Sequence, residues 1–262
     1  MRSARETGHL TMQFLRFSIP IGILLAAAGC GGSLGSTGIG GTGGTTGPDP
    51  YAGTYQGQYF ATDTGAQGTV TFKVTTAGAL SGTATPIVGG QAGTPFSVSG
   101  TVSAAGNLAI SGFEGSNDMG SLSNPTAATV GGYVANIAGT STIWLTLVVN
   151  PSAPPTGGNP FAGDYSGTLV NTGNRLLNLN AWTISTSGAL SGCTVIQDTG
   201  ATSFGFVSGS VSSAGAISYT LTVSGEAVYT ATGTLKLTGT SLTGSVTSSA
   251  GNTYTVSISQ MS

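Results

Sequence analysis

Of the seven carboxylates beyond residue 29, Asp63, Glu114, Asp118, Asp164, Asp198 and Glu226 are the first candidates for chemistry along this chain. Two carboxylates about 5 to 10 Å apart suffice for acid–base cleavage of a glycosidic bond. Other general acid–base or nucleophilic routes usually call on a His, a perturbed Lys or an activated nucleophile. The single histidine, His9, lies near the amino terminus, so beyond it Ser-His-Asp and Cys-His arrangements are excluded and the commonest zinc ligand is missing. Gly31-Gly32-Ser33-Leu34-Gly35 matches Gly-x-Ser-x-Gly. A nucleophile elbow, however, needs a strand before the motif and a helix after it, and the surrounding Gly/Ser/Thr tract supplies neither. Glu114-Gly115-Ser116-Asn117-Asp118 has the oxygen ligands and glycine of a calcium loop without the one-three-five spacing of Asp and Asn, and reads as a polar turn. Lys73 and Lys236 alternate with Phe72/Val74 and Leu235/Leu237, which puts both on a solvent face. Cys193 has no basic neighbour in sequence to lower its pKa and reads as a small buried hydrophobe. No catalytic residue, cofactor or metal is expected, and the protein is not expected to be an enzyme.

Residues of these types need elements to hold them, and the elements are strands. Val70, Phe72 and Val74 alternate with Thr71 and Lys73, while Ile143, Leu145, Leu147 and Val149 alternate with Trp144 and Thr146. A hydrophobic period of two marks half-buried strands, and no stretch beyond residue 50 keeps a helical period. Five loops share one design: Thr75-Thr76-Ala77-Gly78, Ser103-Ala104-Ala105-Gly106, Ser185-Thr186-Ser187-Gly188, Ser212-Ser213-Ala214-Gly215 and Ser248-Ser249-Ala250-Gly251. A type I turn followed by a left-handed Gly makes a short hairpin loop without a Cβ penalty. Successive strands are therefore predicted to be antiparallel neighbours.

The same unit occurs twice. Tyr51-Ala52-Gly53-Thr54-Tyr55-Gln56-Gly57 returns as Phe161-Ala162-Gly163-Asp164-Tyr165-Ser166-Gly167, and Gly78-Ala79-Leu80-Ser81-Gly82 returns as Gly188-Ala189-Leu190-Ser191-Gly192. Ser99 to Gly106 returns as Ser208 to Gly215, at an offset of 109 against 110 for the other two. This repetition predicts β-domain 1 over residues 51–150, a Pro-rich linker over 151–160 and β-domain 2 over 161–262, each domain of ordinary size. In the second copy, strands are expected near 163–170, 176–186, 189–197, 203–212, 216–224, 227–236, 241–247 and 252–260. The fold class is thus all-β: two tandem antiparallel β-meander domains of about eight strands, each a small up-and-down barrel or alternatively a sandwich. Closure removes exposed strand edges and favours the barrel. Tyr51, Tyr55 and Tyr59, and Phe161 with Tyr165, are spaced by four on the opening strand of each copy and are read as core and barrel closure, with hydroxyls at the rim.

Gly-x-Tyr-x-Gly followed by Gly-Ala-Leu-Ser-Gly resembles modules of secreted bacterial proteins and, more loosely, the opening of avidin-like barrels. The avidin resemblance implies a ligand pocket lined by several Trp. Here each copy has one, Trp144 or Trp182, at non-equivalent places.

At the amino terminus Arg2, Arg5 and Arg16 precede an apolar run from Phe17 to Ala28 that ends in Ala27-Ala28-Gly29-Cys30. About 20 apolar residues are needed to span a bilayer, and this run is shorter, so residues 1–29 read as a cleaved signal peptide. Met12 to Phe17 is by itself a sufficient basic leader. The segment resembles the bacterial lipoprotein signal family, whose motif ends in the lipid-bearing cysteine, with Ala27 where leucine is commoner. That resemblance implies lipidation of Cys30, by diacylglycerol on its sulfur and an acyl chain such as palmitate on its amine. Each buried methylene contributes about 0.8 kcal/mol to such an anchor. With Gly31 rather than Asp after the cysteine, the resemblance implies the outer membrane in a cell that has two. Residues 30–50 are the lipidated cysteine and a Gly/Thr-rich stretch too poor in apolar side chains to repay ordering, expected to be a flexible tether.

Beyond residue 29 only Lys73, Arg175 and Lys236 stand against the seven carboxylates, a net charge of −4. Nucleic-acid binders cluster Lys and Arg against phosphates, so a nucleic-acid partner is excluded. The expected partners are the membrane, through acyl chains on Cys30, and a protein or polysaccharide. The expected function is a membrane-anchored exported lipoprotein in the cell envelope acting as a non-catalytic surface or binding module. The alternative is a lipocalin-like carrier of a small apolar ligand, for which inward Gly, Ala and Ser would leave the space that Val, Leu, Ile and Phe would fill.

Overall fold

The computed structural model describes residues 48–62, 64–113, 118–123, 128–135, 142–174, 177–198, 201–223 and 226–261. Cys30 and the signal, Arg175, and the polar turn at 114–117 lie outside them. Every regular element among the described residues is a strand.

The first copy contains β1 (Gly53–Ala61), β2 (Gln67–Val74), β3 (Ala79–Val88), β4 (Gln91–Ala92), β5 (Phe96–Val102), β6 (Asn107–Ser111), β7 (Asp118–Leu122), β8 (Thr129–Ala135) and β9 (Thr142–Val149). The second contains β10 (Gly163–Asn171), β11 (Leu177–Ile184), β12 (Ala189–Asp198), β13 (Ala201–Val211), β14 (Ala216–Val223), β15 (Glu226–Thr238), β16 (Ser241–Ser248) and β17 (Thr253–Gln260). Neighbours in sequence pair antiparallel, and β10 meets β17 to close an eight-stranded barrel. In the first copy β1 pairs with both β2 and β9, β3 with both β2 and β5, and the ring closes through eight strands, with the two-residue β4 appended to β3. Both copies are barrels, which resolves the choice against the sandwich.

The five hairpin loops explain the meander. Gly78, Gly106, Gly188, Gly215 and Gly251 have φ of 78°, 80°, 85°, 85° and 83°, and each donates its amide to the residue that opens its loop. The opening Ser or Thr hydroxyl also accepts the amide four residues on, as Ser212 Oγ does from Ala216 at 3.0 Å and Thr75 Oγ1 from Ala79 at 3.1 Å.

Each barrel is plugged at the end where the chain enters. Asp49 Oδ1 accepts the Tyr51 amide at 2.8 Å, and its counterpart Asn159 accepts the Phe161 amide at 2.9 Å. The buried Tyr55 hydroxyl donates to the Tyr51 carbonyl at 2.6 Å, and Tyr165 donates to Phe161 at 2.9 Å. Tyr51 and Phe161 sit in the turn before the strand rather than on it, because the ring must fold back under the barrel to close it. Their burial agrees with the core reading. The hydroxyls do not stand free at the rim; Tyr51, Tyr55 and Tyr165 donate to backbone carbonyls.

The two barrels pack side by side, through β1, β8 and β9 of the first and β10, β11 and β12 of the second. Val148, Ala181 and Cys193 form a small core between them. As a result β11 is buried on both faces: Trp182 and Ile184 point into their own barrel, while Leu179 and Ala181 face the other way.

Candidate functional site

The two copies diverge most at the end opposite the plug. In the first barrel that far end is filled by Tyr59, Phe96 and Phe113, whose rings meet edge-on at centroid separations of 5.1 to 6.5 Å. Gly68 pairs across from Tyr59. A Cβ there would lie 2.6 Å from the tyrosine ring, so the small residue is what lets the ring turn inward.

Every one of those choices is reversed in the second barrel. The register position of Tyr59 is taken by Leu169, and that of Gly68 by Asn178. The position of Phe96, paired to Ala84, is taken by Gly205, paired to Thr194. Ala61, which pairs with Ile143, corresponds at the repeat offset to Asn171, paired with Tyr254. Without the aromatic plug, an open cavity of about 460 Å³ remains at the mouth, within the range of small-molecule sites, which favour barrel mouths among other places.

Amides and tyrosines line this cup. Asn171 is 7% exposed, and its Oδ1 accepts the amides of Gly173 at 2.8 Å and Asn174 at 3.4 Å, which folds the β10–β11 loop back over the strand end. Asn178, 4% exposed, accepts the Gln197 amide at 3.2 Å. Below it, Asn180 Nδ2 donates to the Asn178 carbonyl at 3.0 Å. Among the described residues, Gln197 Nε2 is buried and has no hydrogen-bond partner. Such a group costs about 1 to 3 kcal/mol unless something satisfies it. Tyr229 and Tyr254 stack in the wall at 6.5 Å and 15°. Burial chiefly, with Tyr219 and Tyr254 adding to it, raises the Tyr229 pKa well above that of a free phenol. It is therefore a neutral donor at physiological pH. None of the described residues lining the cavity carries a charge.

Of the residues singled out from sequence, Asp198 ends β12 and Glu226 begins β15 at this rim, while the side chains of Lys73, Lys236, Asp164 and Cys193 lie elsewhere. Lys73 and Lys236 are exposed on the barrel walls. Asp164 Oδ1 accepts the Thr183 hydroxyl at 2.8 Å at the plugged end. Among the described residues no three His, Cys, Asp or Glu side chains gather as metal ligands would. Cys193 is wholly buried between the barrels, its thiol donating to the Val130 carbonyl at 3.3 Å. Burial is the main cause pushing its pKa up to about 12, so it sits there as a hydrophobe. The cup residues were missed because Asn178 and Asn180 read as the polar, outward half of an alternating strand. Aligning the two copies would have found them, since Gly68 and Val70 in one become Asn178 and Asn180 in the other.

No protein-family model matches the chain, and no curated protein matches it. Among solved structures it is similar to the isotype 1 transferrin binding protein B from serogroup B Neisseria meningitidis, at 9% sequence identity and a TM-score of 0.26. The match covers 74% of this chain and 65% of that one, so the chain spans less than two thirds of the other's length.

Proposed function

We propose that the protein is an exported, membrane-anchored lipoprotein acting as a non-catalytic binding module, and that its binding end is the open mouth of the second barrel. The observation that carries this reading is the divergence of the two copies: Tyr59 and Phe96 of the aromatic plug become Leu169 and Gly205, and Ala61 and Gly68 become Asn171 and Asn178, which line a cavity. The anchor is lipid on Cys30, on the strength of the Ala27-Ala28-Gly29-Cys30 motif. Gly31 directs the protein to the outer membrane where the cell has one, and the barrels reach their partner from a tether of at most a few nanometres, at roughly 5 to 6 Å times the square root of residue number.

A polar ligand fits better than the apolar cargo of a lipocalin-like carrier. Tyr165, Trp182, Tyr219 and Leu242 occupy inward positions of the second barrel and are packed into its core, so the available space lies at the mouth, where amides line it. A non-catalytic role is supported by Asp49 and Asp164, whose carboxylates are engaged in local hydrogen bonds.

The test is native mass spectrometry of the full chain in detergent after exposure to an envelope extract, beside Val228→Trp, a change at an exposed residue lining the mouth. A small molecule of fixed mass held by the parent and lost from the variant is expected. A ligand held equally by both, or none at all, would remove the mouth as the binding end.

A further inference from the structure

We infer that the mouth of the second barrel is a saccharide subsite that takes a neutral sugar unit, and this rests on the binding-module reading above. Three features of the cup select that chemistry. Its polar groups are mostly carboxamides, those of Asn171, Asn174, Asn178, Gln197 and Asn252 beside the Ser203 hydroxyl, and a carboxamide carries a donor and an acceptor on one planar group. A sugar hydroxyl is likewise donor and acceptor, so vicinal hydroxyls match carboxamides without any net charge. Tyr229 and Tyr254 add aromatic surface, and Ile196 and Val223 an apolar patch, against which the C–H face of a pyranose packs.

Competing classes fit less well. Among the described residues no side chain lining the cup carries a charge that would select an anion or a cation. An apolar ligand would displace water from the carboxamides that line the cup without giving them partners, which the hydroxyls of a sugar supply. A peptide docking by strand addition needs an unpaired edge, and β10 and β17 close the second barrel so that it has none. The cavity of about 460 Å³ is open on one side, which suits the end or a branch of a longer glycan.

The experiment is calorimetric titration of the full chain in detergent with four neutral disaccharides, maltose, cellobiose, lactose and N,N′-diacetylchitobiose. Glucuronate, glucosamine and laurate serve as the charged and apolar comparisons. At least one neutral disaccharide is expected to bind, and Asn252→Ala and Tyr229→Ala should each weaken it by about tenfold or more. Gln197→Leu serves as the control: Nε2 is buried rather than open to the cup, so the variant should bind the same disaccharide as the parent does. Binding unchanged in Asn252→Ala and Tyr229→Ala would overturn the subsite. Binding of glucuronate, glucosamine or laurate alone, lost in Tyr229→Ala, would overturn the neutral-sugar assignment and leave the mouth as the binding end. No heat with any probe, together with no retained ligand from envelope extract, would overturn both.

Discussion

The ring of Phe204 in the second barrel lies against the backbone of Gly131 in the first, in the space a Cβ on that glycine would occupy. Gly131 is buried on the outward face of β8, and Phe204 is braced edge-on by Phe206 at 5.1 Å. The absence of one side chain on one barrel is therefore filled by a ring from the other.

Gly131→Ala should push this ring out of its seat and destabilise the protein by about 1 to 3 kcal/mol, the usual cost of overpacking. Phe204→Ala should cost stability alone, but the double variant should be less destabilised than the two single changes added together. Urea denaturation of the four proteins measures that coupling. Simple additivity would mean the two residues do not meet.

Gly251 and Gly188 adopt nearly the same left-handed conformation, at φ 83° and 85°, in different surroundings. A Cβ on Gly251 would meet nothing within 4 Å, while one on Gly188 would press on the Asn159 amide at 2.6 Å and on the Val211 carbonyl. Gly251→Ala should thus cost only the conformational penalty of about 1 to 2 kcal/mol. Gly188→Ala should cost distinctly more and loosen the plug beneath the second barrel. Thermal melts of the two variants rank them, and equal losses would show that the crowding at Gly188 is relieved by a small shift.

Stability should fall on the alkaline side. Cys193 is raised from 9.0 to about 12 by burial, and Tyr55 and Tyr165 are raised from 10.0 to about 12, with Tyr219 and Tyr229 moved the same way. Well below pH 9 the thiol is protonated folded or unfolded, and its contribution is fully present. As pH rises further the unfolded chain releases its proton first, so stability declines until the folded group itself titrates near 12. Each such proton contributes up to about 1.4 kcal/mol per pH unit to the slope. Denaturation midpoints measured at several pH values should drop through this window, and Cys193→Ala should make the drop shallower. A midpoint indifferent to pH there would contradict the burial of these groups.

Cys30→Ala should release the protein from membranes. Fractionation of cells expressing the full chain should move it from the membrane pellet to the soluble fraction. Intact mass of the parent should match residues 30–262 plus acyl chains, and an unmodified cysteine would end the lipoprotein reading.

Strand positions were legible because two signals agreed along most of the chain: alternation of side chains and the recurring Ser/Thr-to-Gly loops. The expectation of a strand near 216–224 meets Ala216–Val223, and that near 241–247 meets Ser241–Ser248. Alternation failed on β11, where Leu177, Leu179 and Ala181 look like the inward set. Their face is buried by the neighbouring barrel instead, and Asn178, Asn180 and Trp182 point inward. A period of two identifies two faces without saying what covers each. The ribbon of β4 was not foreseen, since two residues are too few to carry a pattern.

Eight is an even number, and an up-and-down ring of eight strands returns the chain to the end from which it started. In each barrel the polypeptide arrives and departs at the plugged end, where Asp49 and Asn159 hold the turn in the same way. Among the described residues the opposite rim carries hairpin loops, with the two-residue β4 beside one of them. Loops there can lengthen, shorten or change composition without disturbing a single covalent connection between barrels, so one half of each barrel is free to vary while the other is held by its wiring.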